Sequence, residues 1–282
     1  MALRTTGPSL SEQDCKVRRP LSMSSTERLK DFFNEQVVEW RAFYSPLAPR
    51  TLTAQCLLSR QRFALQMVEA SVPHGSKILD VGCGTGEMAA ELMRRGYDVW
   101  GLDIAEARIR SVHERFGADR FRVGDIEHIE FPDNTFDAVV CLGVMEYLDR
   151  DEPALQEVWR VLKPGGKAVI STLSAICPFH YMDRVLVVLV RPLYRFVKYR
   201  MHGRQLPGPE PRSRKYFRGR WLRLLRTVRL EPEDWLCHCW GCYTLPRFFG
   251  QAYLGRASDW FARNRALNWL GSHQLVRVRA VK

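Results

Sequence analysis

The chain has 282 residues, 46% hydrophobic and 26% charged, with a net charge of +12. That length exceeds a minimal doubly wound domain and points to one core with additions or a small second lobe, while the composition excludes global disorder. Eight cysteines are scattered, no apolar run approaches a membrane span, and the N-terminus lacks the apolar core of a signal peptide, so a reduced, cytoplasmic protein is expected, soluble or peripheral at the inner face of a membrane.

Residues 1–24 mix Ser, Thr, Pro, Gly and charge without periodicity and read as a disordered leader. With Ser25 or Thr26 as its cap, a helical pattern runs through Phe32, Phe33, Val37, Trp40 and Tyr44 and ends before Pro46. A second helix is predicted from Thr53 to Ala70, which makes residues 25–72 a pair of N-terminal helices. Ile78 to Val81 then reads as a buried strand, and Gly82, Gly84 and Gly86 open a turn into a helix over Glu87 to Arg95. Three glycines at alternate positions free the backbone of Cβ atoms just where a ligand could lie against it.

A second strand, Val99 to Leu102, delivers Asp103. A third, Arg120 to Val123, precedes Gly124-Asp125-Ile126; a fourth covers Phe136 to Leu142; and Lys163-Pro-Gly-Gly-Lys167 leads into a fifth at Ala168 to Thr172. Strand alternating with helix implies a doubly wound, Rossmann-like α/β fold over residues 73–174, parallel with right-handed crossovers, with every glycine or acidic motif at the carboxyl end of a strand.

The loop also narrows the ligand. A dinucleotide fingerprint would place glycine at position 87, where Glu87 stands, and a carboxylate at a helix N-terminus repels pyrophosphate but tolerates a cation. S-adenosyl-L-methionine carries a sulfonium and no phosphate, and Asp103 can accept from two ribose hydroxyls.

With these motifs together, residues 77–173 resemble the cofactor domain of class I S-adenosylmethionine-dependent methyltransferases, particularly the small-molecule branch that includes the ubiquinone-biosynthesis O-methyltransferases. The resemblance implies Asp80, Gly82 and Gly84 around the methionine part, Asp103 on the ribose, Asp125 and Ile126 at the adenine, and Leu142 near the methionine amine. Trp40 and Tyr44 followed by Arg60 resemble the N-terminal lid of that branch. Core packing is the preferred reading for Trp40, and Tyr44 stands equally as packing or substrate contact. Where the branch often has Glu-His, this chain reads Met145-Glu146-Tyr147, which removes the obvious neutral-pH base. Tyr147 is either a substrate hydrogen-bonder or a packed aromatic, with packing preferred, and no catalytic base is named.

After Ser174 the pattern changes. Between Arg191 and Arg229 stand thirteen Lys/Arg against Glu210 alone, which accounts for the whole net charge. Residues 175–230 read as a basic, apolar helical insertion: a short apolar block at Val185 to Val190, a turn-rich stretch from Gly203 to Arg214, and an amphipathic helix at Lys215 to Val228 with Trp221 and Leu225 on its apolar side. It is expected either to dock on an anionic membrane surface through those apolar residues or to cover the sheet with its arginines solvated. Residues 231–282 complete the domain with a strand at Glu233 to Tyr243, a helical insertion at Leu245 to Asn268 and an antiparallel last strand at Gln274 to Val281. Cys237-His238-Cys239 suggests zinc, but strand alternation splits the histidine from the cysteines, so no metal is expected.

The functional expectation is methyl transfer to a small, apolar or lipid-like acceptor, oxygen preferred. A nucleic-acid methyltransferase would explain the arginines, but a nucleic-acid partner is not expected, because Leu142-Gly-Val-Met stands in place of an Asn/Asp-Pro-Pro-aromatic motif. A membrane-surface adaptor with a retired cofactor fold and a non-methylating S-adenosylmethionine enzyme are the remaining alternatives.

Overall fold

Among the described residues seven strands form one sheet. In chain order they are β1 (Lys77–Val81), β2 (Asp98–Asp103), β3 (Phe121–Val123), β4 (Phe136–Cys141), β5 (Leu162–Leu173), β6 (Leu230–His238) and β7 (His273–Ala280). The sheet order is β3-β2-β1-β4-β5-β7-β6. The structure is a computed structural model that describes residues 24–44, 52–178, 213–239 and 267–282, together with 181, 211, 260–262 and 264. The leader, the Val185–Val190 block, most of the Gly203–Arg214 stretch and most of the Leu245–Asn268 insertion lie outside the described residues.

Strands β1 to β5 are mutually parallel, with Leu79 opposite both Trp100 and Val139. Strand β7 runs antiparallel to β5 and to β6, as expected for the last strand. Order reverses between β1 and β4, which opens a crevice at their carboxyl ends. Apolar residues fill both faces: Leu79 and Val81 face one cluster with Trp221 and Leu225, and Ile78 faces another with Phe63 and Leu92. Strand β6 forms an edge, interrupted by a register shift between Pro232 and Asp234 that spoils it as a template for further pairing.

Seven helices surround the sheet among the described residues: α1 (Ser25–Glu35), α2 (Val37–Phe43), α3 (Leu52–Glu69), α4 (Glu87–Arg94), α5 (Glu106–Phe116), α6 (Glu152–Val161) and α7 (Arg218–Thr227). The first predicted helix is two, broken at Gln36, and its cap is Ser24, one residue earlier than expected, in a reciprocal box with Glu27. Strand β6 begins three residues before its predicted start because Leu230 pairs with Ala280.

The structure decides the alternative left open for α7 and corrects the reading of Cys239. Trp221 and Leu225 are 1% and 0% exposed, packed into the core, so they are unavailable to a lipid surface. Cys239 lies beyond the end of β6 with φ +63°, so strand alternation does not govern it. It forms a disulfide with Cys56 of α3, 183 residues away, beside His273, a pairing not anticipated from the sequence. Among the described residues no helix is long and apolar enough to cross a membrane.

Candidate functional site

The crevice holds a pocket of about 1130 Å³ including its open mouth. All nine residues singled out from the sequence, Tyr44, Asp80, Gly82, Gly84, Asp103, Asp125, Ile126, Leu142 and Tyr147, line it.

The glycine turn follows β1. Gly82 has φ +71°, and a Cβ there would sit 2.2 Å from Val144 Cγ2, so close packing demands glycine. Gly84, at φ +56°, faces open space, its nearest neighbour being Arg108 Nη1 at 3.9 Å. Gly86 differs: a Cβ would meet Phe116 at 2.9 Å, which makes it a helix-packing position. Glu87 pairs with Arg115 at 2.7 Å, so its charge at the start of α4 is largely met by protein.

Asp103 is 3% exposed. One carboxylate oxygen accepts from the Gly84 N–H at 2.9 Å, the other from the Ala105 N–H at 2.8 Å. It thereby ties the glycine turn to the start of α5, and each oxygen keeps capacity for a further donor. Asp125 likewise accepts from the Glu127 N–H at 2.9 Å.

Asp80 is buried, and its pKa rises to about 7, first through burial and then through the charge of Asp103, with Arg60 pulling it back. Its Oδ2 has no partner among the described atoms. Glu146 is also pushed above the ordinary carboxylate range by burial, opposed by Arg60, and its Oε2 is unpartnered.

Two arginines shape this site, Arg60, which the sequence places only in a lid-like pattern, and Arg108, which it does not single out. Arg60, from α3, lies against Gly143, where a Cβ would stand 2.5 Å from Nη1, and it keeps Nε unpartnered. Arg108, from α5, places its guanidinium 4.1 Å from the Phe33 ring and 5.4 Å from Trp40, with Nη1 3.7 Å from Asp103. Asn34 accepts from the Ala107 N–H at 2.9 Å, and Lys30 pairs with Glu106 at 2.8 Å, so α1 is docked on the start of α5. Trp40 and Tyr147 both pack on Phe33, which fits the packing reading of each while leaving them on the pocket wall. Arg60 stands only in the pattern resembling an N-terminal lid, and Arg108 belongs to no motif that the sequence offers.

The residues present fit S-adenosyl-L-methionine. Its cationic groups suit the unpartnered Asp80 oxygen, its carboxylate suits the unpartnered Arg60 N–H, its ribose suits Asp103, and Gly84 supplies a backbone surface free of side chains.

Residues 79–170 match the family described as methyltransferase domain. The chain is 32% identical over 177 residues to the ubiquinone/menaquinone biosynthesis C-methyltransferase of Geobacter sulfurreducens, covering 57% of this chain and 65% of that one. It is 30% identical over 140 residues to the ubiquinone biosynthesis O-methyltransferase of Acinetobacter baylyi, covering 44% and 58%. It therefore spans less than two thirds of either relative. The magnesium protoporphyrin IX methyltransferase of Synechocystis, solved with bound SAH, superposes with a TM-score of 0.59 over 91% of this chain and 99% of that one, at 12% identity, a likeness of fold.

Proposed function

We propose that this chain is an S-adenosyl-L-methionine-dependent methyltransferase acting on a small, apolar or lipid-like metabolite, with oxygen as the preferred acceptor atom. The observation that carries the reading is the convergence of Asp80, Gly84, Asp103 and Arg60 on one pocket, with buried polar atoms still awaiting partners. When bound, the cofactor supplies an electrophilic methyl group on a sulfonium.

The chain's own part is positioning. Asp103 would hold the ribose, Asp125 and Ile126 the adenine, Leu142 the methionine end, and Asp80 with Arg60 its ammonium and carboxylate. Phe33, Trp40, Tyr44, Tyr147 and Leu148 then form an aromatic and aliphatic wall against which an apolar acceptor packs and from which water is excluded. Glu146 stands on the same wall with a raised pKa, and its free oxygen is the group placed to take a hydroxyl proton as the acceptor oxygen is methylated.

The two curated relatives methylate carbon and oxygen respectively by name, so the preference for oxygen rests on that proton acceptor. The test incubates the full chain with S-adenosyl-L-methionine and metabolite, lipid or RNA extracts. Acceptor-dependent S-adenosylhomocysteine and an O-methylated apolar product support the reading. Methylated RNA, or a cofactor consumed without methyl transfer, defeats it.

A further inference from the structure

The segment leading into α7 runs along the rim of the pocket. The Arg214 N–H donates to the carbonyl of Glu146, a pocket residue, at 2.7 Å, and the Tyr216 hydroxyl donates to the Met145 carbonyl at 2.7 Å. Tyr216 also pairs with the end of β5: its N–H donates to the Leu173 carbonyl at 2.8 Å, and its carbonyl accepts from the Ala175 N–H at 3.0 Å. Around this junction stand three exposed apolar side chains: Ile176 at 41%, Tyr181 at 58% and Phe217 at 59%. The Tyr181 hydroxyl donates to the Ala175 carbonyl at 3.2 Å, which ties that side chain to the same junction.

Below this patch lies a cationic stripe. Helix α7 turns Trp221 and Leu225 into the core and leaves Arg218, Arg220, Arg223 and Arg226 exposed, with Arg229 following. No Asp or Glu occurs between residues 211 and 230. Arg226 meets Glu231 at 3.6 Å and Arg218 lies over the Trp235 ring, whereas Arg220, Arg223 and Arg229 have no acidic partner among the described residues.

We infer that this face, the rim patch of Ile176, Tyr181 and Phe217 with the arginines of α7, docks the protein on an anionic lipid bilayer and brings the pocket mouth to the membrane surface. Charge complementarity supplies the long-range attraction, and the apolar patch supplies contacts that a phosphate backbone does not reward. The aliphatic and aromatic trio is what favours a bilayer over a nucleic acid, whose recognition would need only the arginines. The inference goes beyond the methyltransferase reading, and binding is measured without cofactor or acceptor, so the two stand or fall separately.

The experiment is sedimentation of the full chain with neutral phosphatidylcholine vesicles and with vesicles containing phosphatidylglycerol, over a salt series. Binding should require the anionic lipid and weaken as salt rises. Arg220→Glu with Arg223→Glu should lower the partition coefficient roughly tenfold or more, at about 1 kcal/mol per surface charge. Ile176→Ser with Phe217→Ser should lower it at every salt concentration, and Arg94→Glu, on an exposed residue of α4 away from this face, should leave it within about twofold. Absence of vesicle binding at low salt overturns the inference. So does competition by a single-stranded RNA homopolymer whose binding ignores the Ile176 and Phe217 substitutions.

Discussion

The pocket has two walls of different origin. One is the sheet's carboxyl rim, where Asp80, Gly82, Gly84 and Asp103 sit within a few residues of strands β1 and β2 and are fixed largely by backbone. The other is brought by α1 to α3, whose Phe33, Trp40, Tyr44 and Arg60 reach the same space only after the helices dock. They meet where Arg60 lies on Gly143 and where Arg108 and Tyr147 pack against Phe33. The first wall is built by local geometry, so its glycines and acids are irreplaceable one by one. The second is built by packing, where side chains share the load and single changes cost less.

The largest expected effect tests the first wall. Asp103→Ala removes the acceptors for the Gly84 and Ala105 N–H groups along with the proposed ribose contacts, and charge-assisted hydrogen bonds contribute roughly 1.5–3 kcal/mol each. Affinity for S-adenosylhomocysteine by calorimetry should fall at least about tenfold, with a smaller loss for Asp103→Asn, which keeps one acceptor. An unchanged affinity in a folded Ala variant would remove Asp103 from the site.

The seam between the walls comes next. A Cβ at Gly143 would stand 2.5 Å from Nη1, the tip of the Arg60 side chain, which burial keeps from swinging aside. Gly143→Ala should therefore lower S-adenosylhomocysteine affinity by about 1–3 kcal/mol in the native chain and far less in an Arg60→Met background. The unfavourable φ of +75° burdens stability in both backgrounds and so drops out of the comparison. Equal losses in both would show that Gly143 does not act through Arg60.

Protonation of Asp80 gives a third, smaller effect. Its pKa near 7 in the folded state lies above the ordinary value of 3.8, so the fold retains a proton that the unfolded chain releases. Stability is thus expected to decline as pH rises from about 4 to about 7 and then to level off. Cofactor binding should show the opposite trend, because cationic groups favour the carboxylate: affinity for S-adenosyl-L-methionine should rise between pH 6 and 8, with proton release seen by calorimetry in buffers of different ionisation enthalpy. Asp80→Asn should flatten both profiles, and a persistent slope in that variant would assign the proton elsewhere.

What was readable in the sequence divides along the same line. Strands β1, β2 and β4, and the place of their terminal residues at the pocket, follow from short apolar runs ended by Gly or Asp, a signal contained in adjacent residues. Arg60 and Arg108 carry no such signal, because their burial is decided by what α1 to α3 cover. Trp221 and Leu225 show the converse: helical spacing correctly marks an apolar face but does not say whether it meets the core or a bilayer, and packing beside β6 decides for the core. The Cys56 to Cys239 link is likewise tertiary, joining residues that no spacing rule relates.

The smallest effect is expected at Tyr147, which belongs to the sheet rim by sequence but to the helix wall by contact. Its ring meets Phe33 edge-on at 5.3 Å, in the same aromatic group that carries Arg108 and Trp40. A phenylalanine keeps that edge contact and nearly all of the buried area, so Tyr147→Phe should leave S-adenosylhomocysteine affinity within about twofold and lower turnover only modestly. If the hydroxyl instead orients the acceptor, turnover falls steeply while cofactor affinity holds, because a hydrogen bond made only to the reacting group is expressed in the rate. A loss of about a thousandfold at unchanged folding would move Tyr147 from packing to acceptor recognition, and would place a second chemically acting residue beside Glu146 on the rim.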